Sequence, residues 1–306
     1  PTISGRRKST RPTSRAMPEY TIPLFDLNFD DREAQAVLDT VRSGWISMGP
    51  KTAALEERFA AHVGSPHAVC VNSCTAALHL ALEAAGIGPG DEVITSPITF
   101  ASTANVIVHR AARPVFVDVI PDTVNIDPDA IQAAITPKTK AVIPVDFAGH
   151  PADLDEIMAI GRRHGLPIIE DAAHAIGAEY KGRPIGGIAD MTCFSFYATK
   201  NITSGEGGAL TTNRPEWADR ISVMALHGIS RDAWKRYGAE GYRHWDIIAP
   251  GYKYNMFDVQ AALLRSQFAK LETFHARRIA LKQRLDAGLR DVPEITMPSE
   301  RPSVKH

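Results

Sequence analysis

The chain has 306 residues, 44% hydrophobic and 23% charged, with a net charge of −1. That length can bury a large core, and the charge balance suggests neither a nucleic-acid surface nor an anionic membrane as partner. No apolar run is long enough to span a bilayer, and the three cysteines, Cys70, Cys74 and Cys193, contain no CxxC pair for a zinc finger. They read as reduced thiols of a cytoplasmic protein.

Residues 1–19 open with PTISGRRKSTRPTSR, which carries five basic residues and no acid. Without an apolar segment this is no secretory signal, and its composition predicts a disordered tail. The chain begins with Pro, so it reads as a fragment, with Met17 as an alternative start.

From residue 20 to 257 the pattern alternates short β-branched runs with helical ones. Strands are predicted at 67–71, 92–95, 114–118, 141–145, 167–170, 192–196 and 208–212, and helices at 75–85, 152–164 and 216–227. Such alternation predicts an α/β domain with a mainly parallel sheet covered on both faces. Glycine-rich turns punctuate it at 86–91, 204–208 and 249–252. From Asp258 to about Leu289 one long helix is predicted, kinked or split near Thr273. Residues 258–306 read as the start of a small C-terminal domain that the chain leaves incomplete.

Parallel sheets bind ligands at the carboxyl ends of their strands. Asp171 directly follows the strand PIIE, Lys200 follows FSF, and Ser73 and Thr75 open a helix after HAVCV. A helix start with hydroxyl side chains and free N–H groups suits a phosphate. An amine for a carbonyl cofactor, an acid for a ring nitrogen and an anion cradle together suit pyridoxal 5'-phosphate (PLP). Taken singly, each has an ordinary explanation: a solvated loop lysine, a helix cap at Asp171 before AAHAI, and a helix cap at Ser73 or Thr75.

Longer motifs carry more weight. The run IIEDAAHAIGAEYKGRPIGGIADMTCFSFYATKNITSGEGGAL resembles the DegT/DnrJ/EryC1/StrS sugar aminotransferases. The resemblance runs from about Pro23 to the end and includes GWISMGPKTAALEERFA, PVDFAGHPADLDEI and APGYKYNMFDVQAALLRSQFAKLE. It implies PLP fold type I, with a seven-stranded mainly parallel sheet between helices. Within that family, HGISRDAWKRYG followed by APGYKYN resembles the branch that aminates a UDP-4-keto-pentose.

The resemblance implies residue roles. Lys200 matches the Schiff-base lysine and Asp171 the partner of the pyridine nitrogen. His174 matches a position beside the ring and its phenolic oxygen, and Phe100 the aromatic stacked on the ring. Ser73, Thr75, Ala76 and Ser195 match the phosphate site. Asn255 matches a residue reaching the phosphate in the neighbouring subunit, which implies a homodimer with shared sites. Trp45 is expected near the sugar, and His227 either at the site or capping a helix end. The implied substrates are L-glutamate and a keto-sugar nucleotide, with 2-oxoglutarate as co-product.

Rival readings fit less well. A sugar dehydratase of this fold replaces the lysine with histidine. A nicotinamide dehydrogenase needs GxGxxG between strand and helix, whereas GIGPGD at 86–91 follows a helix and precedes a strand. A non-catalytic regulator on this fold would be favoured by loss of Lys200 or Asp171, and both are present. Neither HExxH nor GxSxG occurs.

Overall fold

The computed structural model describes Pro23, residues 25–230 and residues 246–306. The basic tail at 1–19 and most of HGISRDAWKRYG lie outside the described residues.

Two helices open the chain, α1 (Asp31–Arg42) and α2 (Pro50–Val63). Then come β1 (His67–Val71), α3 (Cys74–Ala84), β2 (Glu92–Thr95), α4 (Ala101–His109) and β3 (Arg113–Phe116). Next follow α5 (Pro128–Ala134), β4 (Thr139–Ile143), α6 (Leu154–His164) and β5 (Ile169–Asp171). After these come β6 (Glu179–Tyr180), β7 (Arg183–Pro184), β8 (Met191–Ser195), β9 (Gly208–Thr212) and α7 (Pro215–Ala225). The described chain closes with α8 (Asp258–Phe268), α9 (Leu271–Leu289) and β10 (Val304–Lys305).

The main strands form two groups, β3-β2-β4 and β5-β8-β9-β1. Parallel bridges Val142–Ile168 and Val145–Asp171 join β4 to β5. The Asp171 amide donates to the Pro144 carbonyl at 2.9 Å, and the Asp146 amide to the Asp171 carbonyl at 3.1 Å. The result is one seven-stranded surface in which β9 alone runs antiparallel to its neighbours. The predicted seven-stranded, mainly parallel α/β sheet is present.

Both faces of the sheet are covered, which is why its strands read as continuous apolar runs. Strand side chains alternate between two cores. Cys70, Ile94, Val142, Phe194 and Ala209 pack with Phe59 of α2, Ile157 of α6 and Leu264 of α8. Val69, Val71, Val93, Ile143, Cys193 and Leu210 pack with Leu78 of α3, Val106 of α4 and Met224 of α7.

The long predicted helix is two. It breaks at Ala269 and Lys270, three residues or so before the expected Thr273. Lys270 is buried there and pairs with the buried Glu33 of α1 at 2.7 Å, which ties the break to the first helix. Ala261, Leu264 and Phe268 of α8 belong to the main core, so packing is continuous across the boundary expected at residue 258. Along α9, in contrast, Leu281 and Leu285 are exposed. Strand β10 returns to pair with β6.

Asp258, at the start of α8, also closes the start of α2. Its buried carboxylate accepts from the amides of Gly49, Lys51 and Thr52 and from the Thr52 hydroxyl, at 2.8–3.0 Å. Helix α2 has no side-chain cap of its own, so a residue 206 positions away in sequence satisfies its unpaired N–H groups. No helix among the described residues is long and apolar enough to cross a membrane.

Candidate active site

A cavity of about 430 Å³ opens at the carboxyl ends of the parallel strands. Asp171 stands at the end of β5 and Ser195 at the end of β8. The α3 start supplies Ser73 and Thr75, the loop after β2 supplies Phe100, and the loop after β8 supplies Lys200. His174 faces in from the turn beyond β5. Seven of the residues singled out in the sequence therefore share one cavity, brought together because parallel strands deliver their ends to one edge.

Asp171 is the most enclosed of them, 4% exposed. Its Oδ2 accepts from Thr103 Oγ1 at 2.7 Å, and its Oδ1 accepts from the Ala173 amide at 3.2 Å. Burial pushes its pKa up, while these hydrogen bonds and Lys200 pull the other way. A carboxyl in such a state gains from a cation placed against it. Lys200 is half-buried, and burial lowers its pKa, which favours the neutral, nucleophilic amine. Enclosure, and then the charge of Lys200, lower the pKa of His174.

Ser73 caps α3, accepting from the Ala76 amide at 3.1 Å. That bond engages the Ala76 N–H, and the Ala76 side chain is buried in the core; Ala76 does not line the cavity. Gly208 of β9 passes so close beneath that a Cβ on it would lie 2.4 Å from the Ser73 backbone and 2.6 Å from the Cys74 nitrogen. The α3 start is thus held against β9, next to Ser195. A helix N-terminus flanked by Ser73, Thr75 and Ser195 fits a phosphate, a buried acid fits a ring nitrogen, and Lys200 fits the aldehyde carbon. The residues present are those PLP requires.

Phe100 is 78% exposed at the cavity mouth, an open aromatic surface. Asn255 lies outside the cavity and is bonded to Lys253 Nζ at 2.6 Å and to the Met256 carbonyl at 3.1 Å. Trp45 does not line it either. Its indole N–H donates to the Met48 carbonyl at 3.2 Å, and its ring covers Gly49, where no Cβ would fit. His227 follows α7, and its amide donates to the Tyr252 carbonyl at 2.7 Å.

Sequence reading missed Thr103. With Thr99 it forms a chain, Thr99–Thr103–Asp171, whose links are both 2.7 Å. The four-residue spacing across the start of α4 was the available signal. It also missed Asp146, which lines the cavity with its Oδ2 buried and without a hydrogen-bond donor. Oε1 of the neighbouring Glu170 is in the same condition. Their other oxygens accept from the Ala152 amide at 2.9 Å and from Thr192 Oγ1 at 2.8 Å. The two side chains interact, and two buried acids so placed are satisfied by sharing one proton. Burial raises both pKa values, that of Glu170 to about 7. Among the described residues no cluster of His, Cys, Asp and Glu could hold a metal ion.

Comparison with known proteins agrees with this geometry. The chain is 51% identical over 287 residues to the spore coat polysaccharide biosynthesis protein SpsC of Bacillus subtilis, covering 94% of this chain and 73% of that protein. Among solved structures, DesV of S. venezuelae in complex with a ketimine intermediate matches at TM-score 0.84 and 38% identity, covering 90% of this chain and 71% of that one. The PLP form of Spr1654 from Streptococcus pneumoniae, assigned as a sugar aminotransferase, matches at TM-score 0.83 and 36% identity, covering 93% and 76%. The family model for DegT/DnrJ/EryC1/StrS aminotransferases matches residues 28–306. With that match over most of its length and a site of this composition, the chain belongs to the DegT/DnrJ/EryC1/StrS aminotransferase family.

Proposed function

We propose that this protein is a PLP-dependent aminotransferase that moves the amino group of L-glutamate onto a keto-sugar nucleotide, with a UDP-4-keto sugar as the preferred class. The observation that carries the reading is the convergence of Lys200, buried Asp171 and the α3 N-terminus on one cavity. PLP, when bound, supplies an electron sink for the carbanion formed at the donor's α-carbon.

The chain's own residues supply the rest. Asp171, held by Thr103, keeps a negative charge against the ring nitrogen. The α3 N-terminus with Ser73, Thr75 and Ser195 binds the phosphate. Phe100 covers one face of the ring and sheds water from it. Lys200 Nζ holds the cofactor at rest. Displaced as a neutral amine, it takes the proton from the donor's α-carbon and delivers it as an acid; with the keto sugar it acts in the opposite sense. Asn255, outside the cavity of its own chain, serves the phosphate site of a second copy in a homodimer.

The deciding experiment is an absorbance scan for bound PLP, followed by amination assays with L-glutamate on a panel of 4-keto and 3-keto sugar nucleotides. We expect the absorbance of lysine-bound cofactor and amination in the wild-type protein, and loss of that absorbance and of at least most of the turnover in Lys200→Ala. Full turnover in that variant, or no turnover of any keto sugar by the wild type, overturns the reading.

A further inference from the structure

A second cavity, of about 480 Å³, lies against α9. It shares His174, Thr199 and Lys200 with the first, so the two cavities meet at the same lysine. Its wall includes Arg278, Lys282 and Asp286 of α9. Lys282 is already paired, to Asp286 at 2.6 Å and to Glu300 at 3.3 Å. Arg278 is not. Among the described residues its one hydrogen bond is from Nη1 to the Asn201 carbonyl at 3.3 Å, and it has no carboxylate partner. That bond places the guanidinium beside the residue that follows Lys200.

The one acid of the cavity wall, Asp286, is taken by Lys282, and Arg278 is exposed, so most of its donor fork is open to a ligand. Partial loss of hydration lowers its pKa. Arginine is the side chain best matched to a planar or tetrahedral oxyanion, because its paired N–H groups meet two oxygens at once. Both molecules that an aminotransferase of this kind brings to its lysine carry such a group: carboxylates on the amino donor, a diphosphate on the nucleotide sugar.

We propose that Arg278 is the substrate-anion residue of this site, and that the α9 cavity receives the oxyanion end of a molecule whose reacting carbon lies at Lys200. The assignment rests on the aminotransferase reading above. It places specificity for an anionic substrate on α9, outside the cofactor cradle.

The test is calorimetric titration of the PLP-loaded protein with UDP and, separately, with 2-oxoglutarate, in wild type, Arg278→Gln and Arg284→Gln, the last an exposed arginine of α9 outside the cavity lining. Arg278→Gln is expected to weaken one or both ligands at least tenfold while PLP absorbance stays unchanged. Arg284→Gln is expected to bind as wild type does. Loss of UDP binding assigns the cavity to the diphosphate; loss of 2-oxoglutarate binding assigns it to the carboxylate. Unchanged affinity for both, or a PLP-loaded wild type that binds neither, overturns the inference. Failure to load PLP at all would instead count against the aminotransferase reading. A measurement without a variant guards against misfolding: the bound ligand should slow phenylglyoxal labelling of Arg278 in the wild-type protein, and equal labelling with and without both ligands overturns the inference as well.

Discussion

Thr103 Oγ1 donates a 2.7 Å hydrogen bond to Oδ2 of Asp171, linking the first turn of α4 to the end of β5 inside the core. Removing that donor leaves a buried carboxylate oxygen unpaired and free to turn. Thr103→Val is expected to weaken PLP binding by about tenfold, equivalent to roughly 1.4 kcal/mol. Thr103→Ser, which keeps the hydroxyl, should restore most of it. Titration of the apoprotein with PLP, followed by absorbance, checks both.

Gly208 tests the phosphate end of the site in the same assay. Gly208→Ala places a methyl group 2.4 Å from the Ser73 backbone. Backbone cannot rotate away as a flexible side chain can, so α3 must shift from β9. The expected result is PLP affinity reduced more than about tenfold and stability lowered by about 1–3 kcal/mol. Wild-type affinity in this variant would mean that the α3 start does not bind the phosphate.

The Asp146–Glu170 pair predicts a pH dependence. The folded pKa of Glu170 is raised from 4.5 to about 7. The fold therefore favours the protonated form. The stability this contributes is fully present below pH 4.5 and is lost as pH rises through 7. Asp146→Asn supplies a permanent donor to Glu170 and removes the need for the proton. Relative to wild type, this variant should gain stability between pH 5 and pH 8, on the order of 2 kcal/mol. Thermal melts across that range measure it. A difference that does not change with pH would show that no proton is shared.

Asp258 holds four donors at the start of α2. Asp258→Ala should destabilise the fold by about 2–4 kcal/mol, because buried N–H groups lose their acceptor. Asp258→Asn keeps one oxygen and should cost about half as much. Urea denaturation of both variants is the measurement.

Local pattern determined a great deal about this protein. The β-branched runs placed all seven main strands to within a few residues, since strands covered on both faces must be apolar throughout. The Ser73 cap of α3 was visible because capping is a contact between near neighbours. The motif around Lys200 pointed to the cofactor chemistry before any geometry was available. What the sequence could not determine depends on distance along the chain. Asp258 caps α2 from 206 residues away, Thr103 reaches an aspartate 68 residues further on, and Lys270 breaks a long helix to meet Glu33. Each partner is an ordinary polar residue in its own neighbourhood. Only the packed sheet and its two helical layers bring such pairs within 3 Å, and burial then decides what they do. It makes Asp171 a site for a cation and leads Asp146 and Glu170 to share a proton. At Lys200 it lowers the pKa and turns a lysine that resembles a surface charge into the amine at the centre of the site.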